Sequence, residues 1–163
     1  MSDNTATIIV GERVRPKSEL LARGRRAATG LAGLGVREND AVALLLRNDF
    51  AFLEATHAAG AIGAYAVPLN WHASPDEITY MLDDSKPKVL VVHADLLEPV
   101  RHVIPAGCEI LVVPSPDAAN GVAFADGVFC PPTVRDASWS RDELEANAAA
   151  WLPWTYSRAT GVE

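Results

Sequence analysis

Cysteine is scarce in this 163-residue sequence: Cys108 and Cys130 stand alone, in no metal-ligand spacing. That argues against the cysteine-dense disulfide framework of small secreted domains and fits free thiols in a cytoplasmic protein. Basic residues are outnumbered, 14 Lys and Arg against 21 Asp and Glu, for a net charge of −7. Nucleic-acid binding needs a concentrated basic face, so no nucleic-acid partner is expected. The one basic cluster, Arg23, Arg25 and Arg26, reads as the wet face of a helix. No apolar run approaches the roughly 20 residues that cross a bilayer, so no membrane span is expected. The opening residues, MSDNTATIIVGERV, lack the basic region and apolar core of a secretory signal.

Familiar catalytic patterns are missing as well. There is no GxSxG elbow, no nucleophilic cysteine with a base near it, and no metal cluster. The four histidines, His57, His72, His93 and His102, are scattered. His57 has no acidic partner at metal spacing and reads as a packed or surface residue. Asp83 and Asp84 are adjacent and so do not face each other on a helix; they read as a solvated helix end. Gly30, Gly33 and Gly35 follow a GxxGxG order and close a helix rather than link a strand to one. A phosphate cradle needs the strand first, so a free-standing dinucleotide-binding domain is a poor reading.

What is present is a set of short apolar runs that do not alternate: Ala41 to Leu46, Ala64 to Leu69, and Lys88 to Val92. Such runs suit parallel strands buried on both faces. With helical spacing between them, and right-handed crossovers, the pattern predicts strand-helix-strand-helix-strand. The fold class expected is α/β, a mostly parallel sheet flanked by helices on both faces, and the length suits one domain. Before this core, Ile8-Ile9-Val10 and Gly11 to Val14 predict an edge strand and turn. Pro16 opens a helix with Leu20, Gly24, Ala27, Ala28 and Leu31 on one face, ended by Gly33 or Gly35.

Asn48 or Asp49 caps the next helix, which carries Phe50, Leu53 and His57 near one stripe and runs to about Gly60. Its Ala58, Ala59, Gly60 and Ala61 allow close approach to the sheet. Ser74-Pro75-Asp76-Glu77 is a helix start with a capping box. Ile78, Met81 and Leu82 supply that helix's inner face, and Pro87 stops it. A further helix after Asp95 carries Leu96, Leu97, Val100, Val103 and Ile104. Cys108 to Val113 then reads as a fourth strand. Residues 114–138 are rich in Pro, Gly, Ala and Asp and read as an irregular loop, with a short strand at Val128-Phe129. Ser140 to Leu144 opens a last helix with a second capping box, Ser140 to Glu143. Trp71 and His72 read as ordinary surface-loop residues.

The order of several stretches carries a resemblance. Gly11, Ser18-Glu19-Leu20, Leu31 to Val36, Asp40 to Asn48, Gly60-Ala61, Pro68-Leu69-Asn70, Asp76-Glu77-Ile78 and Met81 to Ser85 resemble the N-terminal part of the AMP-forming acyl-CoA synthetases. The resemblance runs from about residue 11 to 161 and rests on order and spacing rather than on one sharp motif. It implies that residues 1–163 are part of a large N-terminal α/β domain. It also implies that the parent enzyme is an ATP-dependent acyl-CoA (fatty-acid-CoA) ligase. That enzyme activates a carboxylic acid with Mg2+ and ATP to an acyl-adenylate, then passes the acyl group to coenzyme A.

The family's phosphate loop reads Thr-Ser-Gly-Thr-Thr-Gly-x-Pro-Lys-Gly, and Ser157, Thr160 and Gly161 fall on its serine, last threonine and second glycine. These three are the candidate cofactor-binding residues. Tyr156, Arg158 and Ala159 depart from the pattern; Arg158 restricts a backbone that glycine leaves free. Pro16 and Lys17 stand where the family has Thr-Tyr. Val162-Glu163 closes the sequence ahead of any Pro-Lys-Gly, and the family's magnesium-binding glutamate and distal lysine are not in it. The expectation is a chain inactive alone, binding none of these cofactors tightly, whose partner is the remainder of the ligase. The alternative is a non-catalytic interaction module that keeps the fold and forms a homo-oligomer through exposed apolar surface.

Overall fold

A computed structural model describes residues 6–113 and residue 115. The core is a parallel sheet of strands β3 (Ala41–Leu45), β4 (Tyr65–Pro68), β5 (Val89–His93) and β6 (Glu109–Val113), in the spatial order β4-β3-β5-β6. Register places Val42 beside Ala66 on one side and Val89 on the other, and Val91 beside Leu111. The expected mixed α/β architecture, a parallel sheet with helices on both faces, is what the chain adopts.

The non-alternating runs have a direct cause. Successive strand residues point to opposite faces, and here both faces are covered. Val42, Leu44, Val89, Val91, Leu111 and Val113 pack against α1 (Lys17–Gly33) and α2 (Phe50–Ala61) through Ala27, Leu31, Ala55 and Ala58. Ala43, Leu45, Leu90, Val92, Ile110 and Val112 meet the other layer. It consists of α3 (Pro75–Ser85) and α4 (Ala94–Leu97), which contribute Ile78, Leu82, Ala94 and Leu97. β4 differs: it lies at the edge, and Tyr65 is 61% exposed. The expectation that all three runs are buried on both faces therefore fails for this strand. Pro68 ends it, tolerated because an edge strand can lack a ladder N–H.

Residues 7–16 form a separate antiparallel hairpin, not an edge of the main sheet. β1 (Thr7–Val10) pairs with β2 (Arg13–Pro16) around the two-residue turn Gly11-Glu12. Gly11 has φ +59° and Glu12 does not share it, the pattern of a type II′ turn, whose first position favours glycine. Val10 and Arg13 close the turn as a hydrogen-bonded pair, and bonded pairs then recur at every second position. The bond from Lys17 N–H to the Ala6 carbonyl at 2.8 Å fixes that phase. Pro16 falls opposite Thr7 at a non-bonded position, where its missing N–H costs nothing. It is thus the last strand residue, and α1 begins at Lys17.

Other boundaries move for identifiable reasons. α2 buries Phe50, Glu54, Ala55, Ala58 and Ala59, so the expected stripe through Leu53 is displaced; Leu53 is exposed. The alanines and Gly24 let α1 and α2 pack closely, and a Cβ on Gly24 would meet His57 Cδ2 at 2.6 Å. The helix expected after Asp95 is a four-residue α4 continued as a 3-10 turn over Glu98–Val103. Pro99 lies at that change and donates no hydrogen bond to the turn before it. The α3 capping box is present: Ser74 Oγ accepts from Glu77 N–H at 3.4 Å, and Glu77 Oε2 accepts from Ser74 N–H at 2.8 Å. Lys86, in the left-handed region at φ 44°, ends the helix. The loop expected over 114–138 (Ser115 aside), the Val128-Phe129 strand and the helix from Ser140 lie outside the described residues.

Leu44 is fully buried at the centre of this sheet. Leu44→Ala should lower unfolding free energy by about 2–5 kcal/mol, the cost of lost transfer plus cavity. Tyr80→Ala, at a side chain 72% exposed, should change it by less than about 0.5 kcal/mol. Urea denaturation of the two variants checks the layer assignment, and equal losses would contradict it.

Candidate functional site

The strand order creates one topological switch point. From β3 the chain steps to β4 on one side, then crosses back to β5 on the other. In open α/β sheets ligands bind outside the carboxyl ends of strands at such a point. The residues leaving those ends here are Arg47 and Asp49 after β3, Trp71 after β4, His93 and Asp95 at the end of β5, and Ser115 after β6.

These side chains are brought together, and they largely satisfy one another. The Arg47 guanidinium forms an ion pair with Asp95 Oδ2 at 2.5 Å and lies 4.7 Å from the centroid of the Trp71 ring. Trp71 in turn stacks against His72, with centroids 3.4 Å apart. Ser115 Oγ donates to Asp95 Oδ1 and accepts from Asp95 N–H. His93 is fully buried, and its Nδ1 accepts from Arg47 N–H at 3.0 Å. A neutral imidazole accepting at Nδ1 carries its proton on Nε2, which faces Asp49 Oδ2 at 3.9 Å.

Asp49 caps α2, its Oδ1 accepting from Phe50 N–H at 2.7 Å and pairing with Arg13 at 2.7 Å. Burial acts to raise its pKa. The nearby His93 N–H, the hydrogen bond from Phe50 N–H and the Arg13 charge outweigh that and hold it below the ordinary 3.8. One turn on, buried Glu54 takes Arg23 at 2.5 Å and Arg15 at 2.6 Å, while Arg13 and Arg15 lie 5.3 and 4.3 Å from the Phe50 ring centroid. The reading of Arg23 as part of a wet face is therefore corrected. Arg25 and Arg26 are exposed, but Arg23 is 5% exposed because it neutralises Glu54. Beside Asp49 an open groove of about 430 Å³ runs between residues 8–11 of the hairpin and Asn48, Asp49, Phe52 and Leu53.

This arrangement does not suit a nucleotide's phosphates. The N-termini of α2 and α3 already hold their own carboxylates, Asp49 and Glu77, where an anion would sit. The cation nearest the switch point, Arg47, is engaged by Asp95. Among the described residues no group of three or more His, Cys, Asp or Glu could hold a metal. Cys108 is no nucleophile either, since burial raises its thiol pKa to about 11. Asp83 and Asp84 are exposed as expected, and His57 is half-buried in the packing of α1 on α2. The three residues proposed from sequence for cofactor binding, Ser157, Thr160 and Gly161, lie outside the described residues. The cluster of Arg47, Asp49, Trp71, His93 and Asp95 was not read from the sequence. Its signal was positional: each residue ends, or closely follows, a predicted parallel strand.

A family profile described as "AMP-binding enzyme" matches residues 8–155. A feruloyl-CoA synthase from Amycolatopsis is 38% identical over 91 residues, 56% of this chain and 18% of its own length. A long-chain-fatty-acid–CoA ligase from Thermus thermophilus is 40% identical over 86 residues, 53% of this chain and 16% of its own. The structure superposes on an anthranilate-CoA ligase solved with anthranoyl-AMP, with TM-score 0.58 and 28% identity, covering 63% of this chain and 20% of that one. The chain thus spans less than a fifth of the length of these two curated relatives. Among the described residues no helix is long and apolar enough to cross a membrane.

Replacing Asp49 by Asn keeps an acceptor for the α2 N-terminus but removes the charge that Arg13 and His93 face. The loss at pH 7 should be about 1.5–3 kcal/mol, the range for hydrogen bonds to charged groups. Because the folded-state pKa of Asp49 is depressed, its contribution is complete above the unfolded value and disappears as pH falls through the folded one. Denaturation profiles of the wild type and Asp49→Asn should converge in acid; a constant offset at every pH would contradict the assignment.

Proposed function

Because the chain belongs to the AMP-binding enzyme family, we propose that it is the N-terminal α/β portion of an AMP-forming acyl-CoA ligase and has no activity alone. The observation that carries this reading is the family match over residues 8–155 combined with the small share of each relative that the chain covers. In the complete enzyme, ATP with Mg2+ would supply the adenylate and coenzyme A the accepting thiol. Ser157, Thr160 and Gly161 would contribute part of the phosphate loop. The residues at the switch point do not fit a nucleotide, so their part in this reading is structural. Arg47, Asp95 and Ser115 tie the ends of β3 and β5 to the segment after β6, and Asp49 with His93 ties β5 to α2. The acyl substrate class is a carboxylic acid, fatty or aromatic like those of the relatives, and the compartment is the cytoplasm.

ATP–pyrophosphate exchange tests the reading. The pure 163-residue chain should give no exchange above blank with fatty or aromatic carboxylic acids, and calorimetry should give no tight ATP binding. Measurable exchange would refute the claim of inactivity. A second reading, a non-catalytic module that associates with itself, is favoured by the exposed Ile9 and Val14 side chains, 67% and 60% accessible.

A further inference from the structure

The inner face of the hairpin carries its charge on one strand and its aliphatic side chains on the other. Ile8 lies opposite Arg15, and Val10 opposite Arg13; side chains directly opposite share a face. The arginines hold this face to α2. Arg13 pairs with Asp49, the α2 cap, at 2.7 Å, and Arg15 pairs with Glu54 of α2 at 2.6 Å. Their guanidinium groups lie 5.3 and 4.3 Å from the centroid of the Phe50 ring. Arg15 also reaches the exposed Glu19 of α1 at 3.4 Å. The aliphatic strand is looser. Ile8 and Val10 are only half-buried, beside the open groove of about 430 Å³ that separates residues 8–11 from Asn48, Asp49, Phe52 and Leu53. No residue from Thr7 to Pro16 is fully buried.

We infer that the hairpin is a strap that opens from α2 as one unit while the parallel sheet stays folded, with the two arginine–carboxylate pairs as its latch. Regions that open locally have few buried apolar contacts, and the attachment of this hairpin is largely ionic. Opening strands no buried charge. Glu54 keeps Arg23, which meets it through Nε at 2.5 Å and Nη2 at 3.1 Å. Asp49 keeps the Phe50 N–H at 2.7 Å, and the freed arginines enter water. A two-stranded hairpin is marginal on its own in water, so its cross-strand bonds open with it. Those bonds hold the N–H groups of Ile8, Val10, Arg13 and Arg15. The open state uncovers the Phe50 ring and widens the groove along the first turns of α2. The sheet is held differently. Leu44, Leu90 and Val91 are fully buried between two helical layers, so their amides exchange on global unfolding. The latch also sets what controls the strap: the Arg13 side chain is 44% exposed, so salt screens its pair with Asp49.

Native-state hydrogen exchange of the full 163-residue chain, read residue by residue by NMR, tests the strap. The amides of Ile8, Val10, Arg13 and Arg15 should share one protection factor, roughly a hundredfold or more below those of Leu44, Leu90 and Val91. Arg13→Gln keeps a polar side chain but removes the charge. It should speed exchange of the four hairpin amides about tenfold and leave the sheet amides unchanged. Raising sodium chloride from about 0.05 M to about 1 M, where the Debye length falls to about 3 Å, should speed the same four amides in the wild type. Hairpin protection equal to that of the sheet overturns the proposal, and so do four amides with unrelated protection factors. An Arg13→Gln effect spread equally over hairpin and sheet also overturns it. If Arg13→Gln fails to fold, the wild type still decides, because hairpin exchange that ignores salt contradicts an ionic latch.

Discussion

The Glu54 carboxylate is the contact on which the arrangement of the helical layer and the hairpin depends. It is fully buried on α2, with Arg23 of α1 at 2.5 Å and Arg15 of β2 at 2.6 Å. A buried ion is tolerated only when paired and hydrogen-bonded, and removing one partner of such a pair typically costs about 3–5 kcal/mol. The two arginines come from different elements, so α2 cannot satisfy its acid unless α1 and the hairpin are both in place. Alanines and Gly24 along the α1–α2 contact provide the close approach that the short Arg23–Glu54 distance requires.

The same economy governs the carboxyl ends of the strands. In many open α/β sheets this region holds a ligand. Here the N-terminus of α2 is capped by Asp49 and that of α3 by the Ser74–Glu77 box, and Arg47 is held between Asp95 and Trp71. The switch point is thereby a joint. It fixes the strand ends of β3 and β5 relative to α2. Membership in the AMP-binding family and a self-satisfied switch point are compatible, because a fold and the site grafted on it are separate matters.

The hairpin's position off the main sheet also has a consequence. A strand inside the parallel sheet is bonded on both sides, whereas β1 is bonded to β2 alone among the described residues. Packing against α2 holds the hairpin without covering its outer edge. Anchoring and exposure thus come from the same contacts: Arg13 and Arg15 reach across to Asp49 and Glu54 and leave the neutral strand outermost.

The sequence by itself determined the four parallel strands, most of the helices and their order. Those depend on local periodicity and capping chemistry, which neighbours in the chain express directly. The runs Ala41–Leu45 and Val89–His93 became central strands, and the Ser74–Glu77 box opened α3 as read. Only the tertiary structure decided that β4 is an edge, that the hairpin stands apart, and that Arg23 is inside while Arg25 and Arg26 are outside. It alone gathered Arg47, Asp49, Trp71, His93 and Asp95, which come from three separate strand ends. The reason is physical: a charge is buried or exposed according to whether its counterion arrives. Glu54 lies 31 residues from Arg23, a separation that no local pattern records.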